Sequence, residues 1–501
     1  MTSAPTEESI RDLKLKSSLN LVAFRHCLLR CEEDVMPAEF HYAWSDELLK
    51  GELSQVIEAY RESGKTQYIL RAFLLYALVF PSKKFDYIVL IKNNATLACA
   101  KLKEIEEEYL SNPILRANLV QIKQQSSEVF SVDVRTDDGT VMNVRIEAYG
   151  KGASIRGLVV QDTRPRIAII DDPQDLEDSK SEITLESDWQ WFLSDVKLLG
   201  SKTRIFLIGN NLGDKCIVER VIAAKDALGY KTSRIPVEIG GVPTWPAKNT
   251  IQQIMDEKRG YQIIGQLDIW NREKMCMSVT KENQVFDTTK FLRYPYKQTK
   301  EMVRNMRLFA TLDPASSTEP GSCYRAIVVN AVDQTNKWFV VDIRYGRWDS
   351  IELINQIFDV VTTWKLQPFG IEKGMLKQVL EPFIRQKMIK DQVFFDLIPI
   401  EHAKRGTKLE RIKMLAPRVD SQSVYLPDAV PNFEKDGVVY NWLVELLSEL
   451  LGVTRTEIKS LFIDLVDALA MQDQIAEAPL DVPGSVSIDT RKMMAGGAGG
   501  W

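Results

Sequence analysis

Four short apolar runs separated by longer helical patterns constrain this chain most: VIEAY (56–60), YIVLI (87–91), IAII (167–170) and RIFLIG (204–209). Strands spaced by helices pair in parallel, which predicts an α/β domain with a mainly parallel sheet. A second series follows, with RLFATLD (307–313), YRAIVVNAV (324–332), KWFVVDI (337–343) and PFGIE (368–372). With 501 residues, 45% of them hydrophobic, the chain can fill more than one core. The expected organisation is an N-terminal helical arm (1–35), with Leu15, Leu19, Val22 and Leu29 on one face, then a first α/β domain over 36–240. A Pro-punctuated linker or lid subdomain over 241–300, a second α/β domain over 301–476 and a flexible Gly/Ser/Pro-rich tail over 477–501 complete it.

Composition narrows the chemistry. Three His and six scattered Cys without a CxxC pair leave carboxylates as the main metal donors, which suit hard ions such as Mg²⁺ or Mn²⁺. His26, Cys27 and Cys31 lie close together but have no second ligand cluster, so they read as packing residues. The mixed-charge N-terminus is no signal peptide, and Ala72–Phe80, the most apolar run, is about half a bilayer span, so a soluble intracellular chain is expected. The net charge of −5 does not advertise a nucleic-acid partner. It averages two opposed stretches, however. Residues 171–188 carry eight acids and one base, whereas 373–418 carry eleven Lys or Arg against five Asp or Glu, a local basic surface of the kind that phosphate grip requires.

The first chemical motif is Ala59-Tyr-Arg-Glu-Ser-Gly-Lys-Thr66, between a strand-like and a helix-like run. That is where a phosphate-binding loop belongs: backbone N–H groups around Ser63 and Gly64 would attract the phosphates, the Lys65 ammonium would reach β and γ oxygens, and the Thr66 hydroxyl would ligate Mg²⁺. Ala59 stands where the usual pattern has its first glycine. IAIIDD (167–172) ends in two acids, Asp171 to hold Mg²⁺ and Asp172 to orient the attacking water, and RIFLIGNN (204–211) ends in Asn210, a γ-phosphate sensor. In the second series Asp313 and Glu372 end strands, and Asp464 and Asp467 are three apart on a helical pattern, sharing a face. Such acids repel unless cations neutralise them, and two divalent ions would clamp a phosphodiester.

Arg61-x-x-Gly-Lys-Thr, the preceding FHYAW (40–44), ASIRG (153–157), the acids after IAII and the later nuclease-type acids together resemble the large terminase of tailed bacteriophages. The resemblance spans roughly 35–475. It implies a P-loop ATPase followed by a ribonuclease-H-like nuclease, with ATP and Mg²⁺ (Mg²⁺ or Mn²⁺ at the nuclease) as cofactors. It implies Arg156 as an arginine finger acting on a neighbouring subunit, and Lys408 and Arg411 as DNA contacts. Its partners would be double-stranded DNA, the portal protein of the procapsid, a small terminase subunit and other copies in a ring of about five, with no membrane. The site of action would be the host cytoplasm and, transiently, the procapsid. That family more often has Asp-Glu after the strand, which leaves Asp172 and Glu177 both as candidate bases. Ile463 replaces a family aspartate, which leaves Asp464 and Asp467 both as candidate ligands. The rival readings are a helicase-like translocase without nuclease activity, and a non-catalytic assembly or portal-adaptor protein with a decayed loop.

Overall fold

The computed structural model describes residues 16–29, 35–279, 283–314, 323–375, 379–401, 406–435 and 438–479. Leu15, Cys31, the loop after Pro314 and the stretch from 480 onward lie outside them. The chain divides into two compact units: 1–238 with 243–250 and 269–278, and 239–242 with 251–268 and 279–501. The 241–300 stretch, expected to form its own subdomain, is thus shared between the two.

In the first unit α1 (Leu21–Leu28) and α2 (Glu39–Lys50) precede β1 (Ser54–Ala59). The Asn20 side chain accepts from the Ala23 N–H at 2.8 Å and starts α1 there. Leu19 therefore precedes the helix and is 67% exposed, contrary to the expected face, whereas Val22 and Leu29 are buried. The chain continues through a π-helical turn (Thr66–Ala72) into α3 (Phe73–Val79) and β2 (Tyr87–Lys92). All seven α3 side chains are buried, so the most apolar run is a core helix. Among the described residues, no helix is long and apolar enough to cross a membrane.

After α4 (Ala95–Ser111) come β3 (Leu119–Gln125), β4 (Val129–Arg135) and β5 (Val141–Gly150), then β6 (Ile167–Asp171), β7 (Arg204–Gly209) and β8 (Tyr230–Ile235). The sheet order is β3-β4-β5-β2-β6-β7-β1-β8. It is parallel from β5 to β8, and its central strands are continuous apolar runs because both faces are covered. The antiparallel β3–β5 edge was not expected. β3 reads LVQIKQQ and is largely exposed, so it lacks the apolar run that betrays a central strand.

The second unit is built on a seven-stranded sheet of β9 (Leu292–Tyr294), β10 (Arg307–Asp313), β11 (Arg325–Val332), β12 (Trp338–Gly346), β13 (Pro368–Glu372), β14 (Asp396–Ile400) and β15 (Val424–Pro427). Their order is β9-β15-β12-β11-β10-β13-β14. β10, β11 and β12 form an antiparallel meander, and β13 joins β10 in parallel after a crossover through α5 (Ser350–Trp364). Asp349 caps α5, and Leu353, Ile354, Ile357, Phe358, Val360 and Val361 line its core face. Each such side chain contributes about 1.5–3 kcal/mol by leaving water. Among its further helices, three bear on the site: α6 (Lys408–Lys413), α7 (Trp442–Leu451) and α8 (Asp464–Met471).

Candidate functional site

In the first unit β7 lies between β1 and β6, all parallel. Their carboxyl ends set the Ala59–Thr66 loop, Asn210 and the Asp171–Asp172 pair side by side, as expected. They border a cleft of about 1300 Å³ lined by Lys65, Thr66, Asp172, Asn210, Trp245 and Glu273, among others. Glu62 (φ 73°) and Gly64 (φ 84°) adopt left-handed backbone. Successive N–H groups in such a turn form an anion-binding concavity. The buried Ser63 hydroxyl has no hydrogen-bond partner, a group suited to an incoming oxygen ligand. Arg61 is exposed, and its N–H donates to the Glu273 carbonyl at 2.8 Å.

The Lys65 ammonium donates to the Ala59 carbonyl at 2.9 Å and to Asn210 Oδ1. Asn210 Nδ2 in turn donates to Glu273 Oε2 at 3.1 Å. Thr66 Oγ1 lies 3.5 Å from Asp171 Oδ1, and the Lys92 ammonium lies 2.5 Å from Asp171 Oδ2. The oxygens of Thr66 and the buried Asp171 are donors of the kind that Mg²⁺ takes, and the Lys92 ammonium now sits on one of the two Asp171 oxygens. Asp172 has φ 46°. Loss of hydration within the cleft and the adjacent Asp171 charge raise its carboxyl pKa above the ordinary value. Glu177 lines the same cleft but is exposed and paired with Lys180. Arg156 does not line it; its guanidinium is 63% exposed and 3.9 Å from Asp195.

The FHYAW segment backs the loop. His41 Nδ1 accepts from the Ala38 N–H at 2.9 Å, so Nε2 carries the proton and donates to the Ser63 carbonyl at 2.8 Å. The ring stacks on Tyr68 at 4.1 Å and meets Trp245 edge-on at 4.6 Å. Burial lowers the His41 pKa to about 4, keeping it neutral. Beneath the sheet end, burial raises the Glu58 carboxyl to about 7 despite its Arg234 partner, which also binds Glu219.

In the second unit Asp313 ends β10. Ile371 pairs with Leu312, so Glu372 follows at the same level on the adjacent strand. Helix α8 and the Gln472 that caps it are fastened to β10 and β11: Thr311 Oγ1 donates to the Ala468 carbonyl at 2.5 Å, and Gln472 Nε2 to the Val328 carbonyl at 2.8 Å. This brings Asp464 and Asp467, both buried, to the end of β10. Lys408 Nζ lies 3.5 Å from Asp313 Oδ2, 3.5 Å from Asp464 Oδ1 and 3.3 Å from Asp467 Oδ2. Arg411 reaches both Asp467 oxygens, at 3.1 and 3.3 Å. The two residues expected on DNA therefore lie on the acids. Burial works against the Lys408 charge, yet the three aspartates hold its pKa above the ordinary value. Burial also raises Asp464, which accepts from the Tyr324 N–H at 2.7 Å.

Glu273, Lys92 and Glu449 escaped sequence reasoning. Glu449, pushed well above the ordinary carboxylate range by burial, accepts from the Val466 N–H at 2.9 Å and braces α8. None sits in a motif; the one available signal was Lys92 ending an apolar strand run.

No protein-family model matches the chain, and no curated protein matches it. Among solved structures it is similar to the HK97 bacteriophage large terminase, at 13% identity over 92% of this chain and 99% of that one, with a TM-score of 0.35. It is also similar to the Mn-soaked human cytomegalovirus terminase nuclease domain, at 13% identity over 38% of this chain and 95% of that one, with a TM-score of 0.28. A third likeness is to a mutant of the Thermus phage P74-26 large terminase ATPase domain, at 11% identity over 45% of this chain and 89% of that one, with a TM-score of 0.31.

Proposed function

We propose that this chain is a large terminase subunit of a tailed bacteriophage, an ATP-driven motor that moves double-stranded DNA into the procapsid and cuts concatemeric DNA. The observation that carries this reading is the pairing of two sites in one chain. Phosphate loop, acid pair and Asn210 share three adjacent strand ends in the first unit, and Asp313, Asp464 and Asp467 surround one cation in the second.

In the first site the loop N–H groups and Lys65 bind the phosphates, while Thr66 and Asp171 would hold Mg²⁺. That ion would supply neutralisation of the phosphate charge. Asp172, less acidic than an ordinary aspartate and open to the cleft, accepts the proton of the attacking water. Lys65 is shared with Asn210, so a γ-phosphate that draws the ammonium away releases Asn210, and with it Glu273. Arg156, exposed and outside its own cleft, serves as a finger for a neighbouring subunit in a ring of about five on the portal. In the second site Asp313, Glu372, Asp464 and Asp467 would hold Mg²⁺ or Mn²⁺, which would supply Lewis-acid chemistry for phosphodiester cleavage. A small terminase subunit would select the DNA, and the work would be done in the host cytoplasm.

ATP turnover with DNA and Mn²⁺-dependent plasmid cleavage test the reading. Wild type should show both, Lys65→Ala should lose turnover and Asp313→Ala should lose cleavage. Equal cleavage by wild type and Asp313→Ala would support a translocase without nuclease activity. No turnover by wild type, even with DNA and portal, would support a non-catalytic adaptor.

A further inference from the structure

The ammonium of Lys408 stands between three aspartates drawn from a strand end and a helix, at 3.3–3.5 Å from one oxygen of each. Oxygen ligands of Mg²⁺ approach to about 2.0–2.1 Å. The acids must therefore close in by more than an ångström around a metal, and the lysine props them apart. Accordingly, among the described residues no three His, Cys, Asp or Glu side chains are close enough to hold an ion. We propose that Lys408 is the resident counter-cation of this cluster and competes with the divalent metal for the same position, so that metal enters only as the lysine leaves. This rests on the nuclease reading of the site.

Two features make the exchange feasible. Lys408 is the first residue of α6, where the helix dipole disfavours a cation, so its placement there depends on the acids. Arg411, one turn on, keeps its two contacts to Asp467 and can hold α6 in place while Lys408 swings out. Three carboxylates facing one ammonium and one guanidinium retain a net negative charge, which attracts a divalent ion.

The experiment is calorimetric titration of the full chain with Mn²⁺ alone. If lysine fills the site nine times in ten, its removal should tighten apparent binding about tenfold in Lys408→Met. Asp313→Asn should lose binding. Unchanged or weaker binding by Lys408→Met, with binding lost in Asp313→Asn, would overturn the competition and leave the metal site standing. No binding by any of the three proteins would overturn both. Wild type supplies a second test that needs no variant. Acetylation of Lys408 by acetic anhydride, mapped by mass spectrometry, should rise when Mn²⁺ is added, and an unchanged rate would refute the exchange.

Discussion

The two units solve opposite electrostatic problems at the ends of their strands. The first gathers N–H groups and lysines for an anion, and it rests Lys65 on the neutral oxygens of Ala59 and Asn210, which surrender it cheaply. The second gathers carboxylates for a cation and rests them on Lys408 and Arg411, whose charges must be displaced or reorganised. The phosphate loop is open to its anion, whereas the carboxylates of both units carry a lysine, Lys92 on Asp171 in the first and Lys408 on three aspartates in the second.

The contrast can be broken at several points. The largest expected effect is at Arg156, which lies outside the cleft of its own chain and is proposed to act on a neighbour's. Arg156→Ala should retain ATP binding but lose roughly 10³-fold or more in turnover of the assembled ring. Mixing it with Lys65→Ala should restore some turnover, and no recovery in mixed rings would argue against action between subunits. Next comes the independence of the sites: Asp464→Asn should reduce Mn²⁺-dependent nicking by about 10²-fold or more while ATP turnover stays within about twofold, and Lys65→Ala should do the reverse. Loss of both activities in either variant would mean that the sites are one system.

A smaller effect lies behind the phosphate loop. The His41 pKa falls from its ordinary 6.5 to about 4, so the unfolded chain takes up the proton first. Stability from this group is present above pH 6.5 and is lost as pH falls toward 4. The loss should amount to about 3 kcal/mol. Melting curves across that window should fall less steeply for His41→Gln, and parallel slopes would remove His41 as the cause. The smallest effect is Gly64→Ala. At φ 84° its new Cβ would meet His41 Nε2 at 3.2 Å and the Tyr68 ring at 3.2 Å. About 1–2 kcal/mol of stability should be lost in denaturant titration.

Legibility in sequence followed the same division. The first site was readable because Arg61 to Thr66 are contiguous and each partner ends an apolar strand. Glu273 was not, since its link to Asn210 spans 63 residues with no motif at either side. In the second site the strand ends Asp313 and Glu372 and the helical spacing of Asp464 and Asp467 were legible. Lys408 and Arg411 were recognised as functional positions but assigned to phosphate. A basic side chain presents the same group to a carboxylate as to a phosphodiester, so KLERIK cannot distinguish the two. The β3–β5 edge was invisible because none of its strands is a continuous apolar run: β3 is largely exposed, and VFSVDVR in β4 and VMNVRIEAYG in β5 interleave polar residues even where they are buried.

The division of residues 239–278 between the two units has a practical consequence for truncation. A fragment ending near 240 would contain the phosphate loop but lack Trp245, Lys248 and Glu273, three walls of the cleft. Extending it to 278 would restore them and carry along 251–268, whose Lys258 is 2% exposed and paired with Glu445 at 2.7 Å. That lysine would be left without its carboxylate. Neither cut follows the boundary of the first unit, so the two sites are best dissected by point substitution in the whole chain.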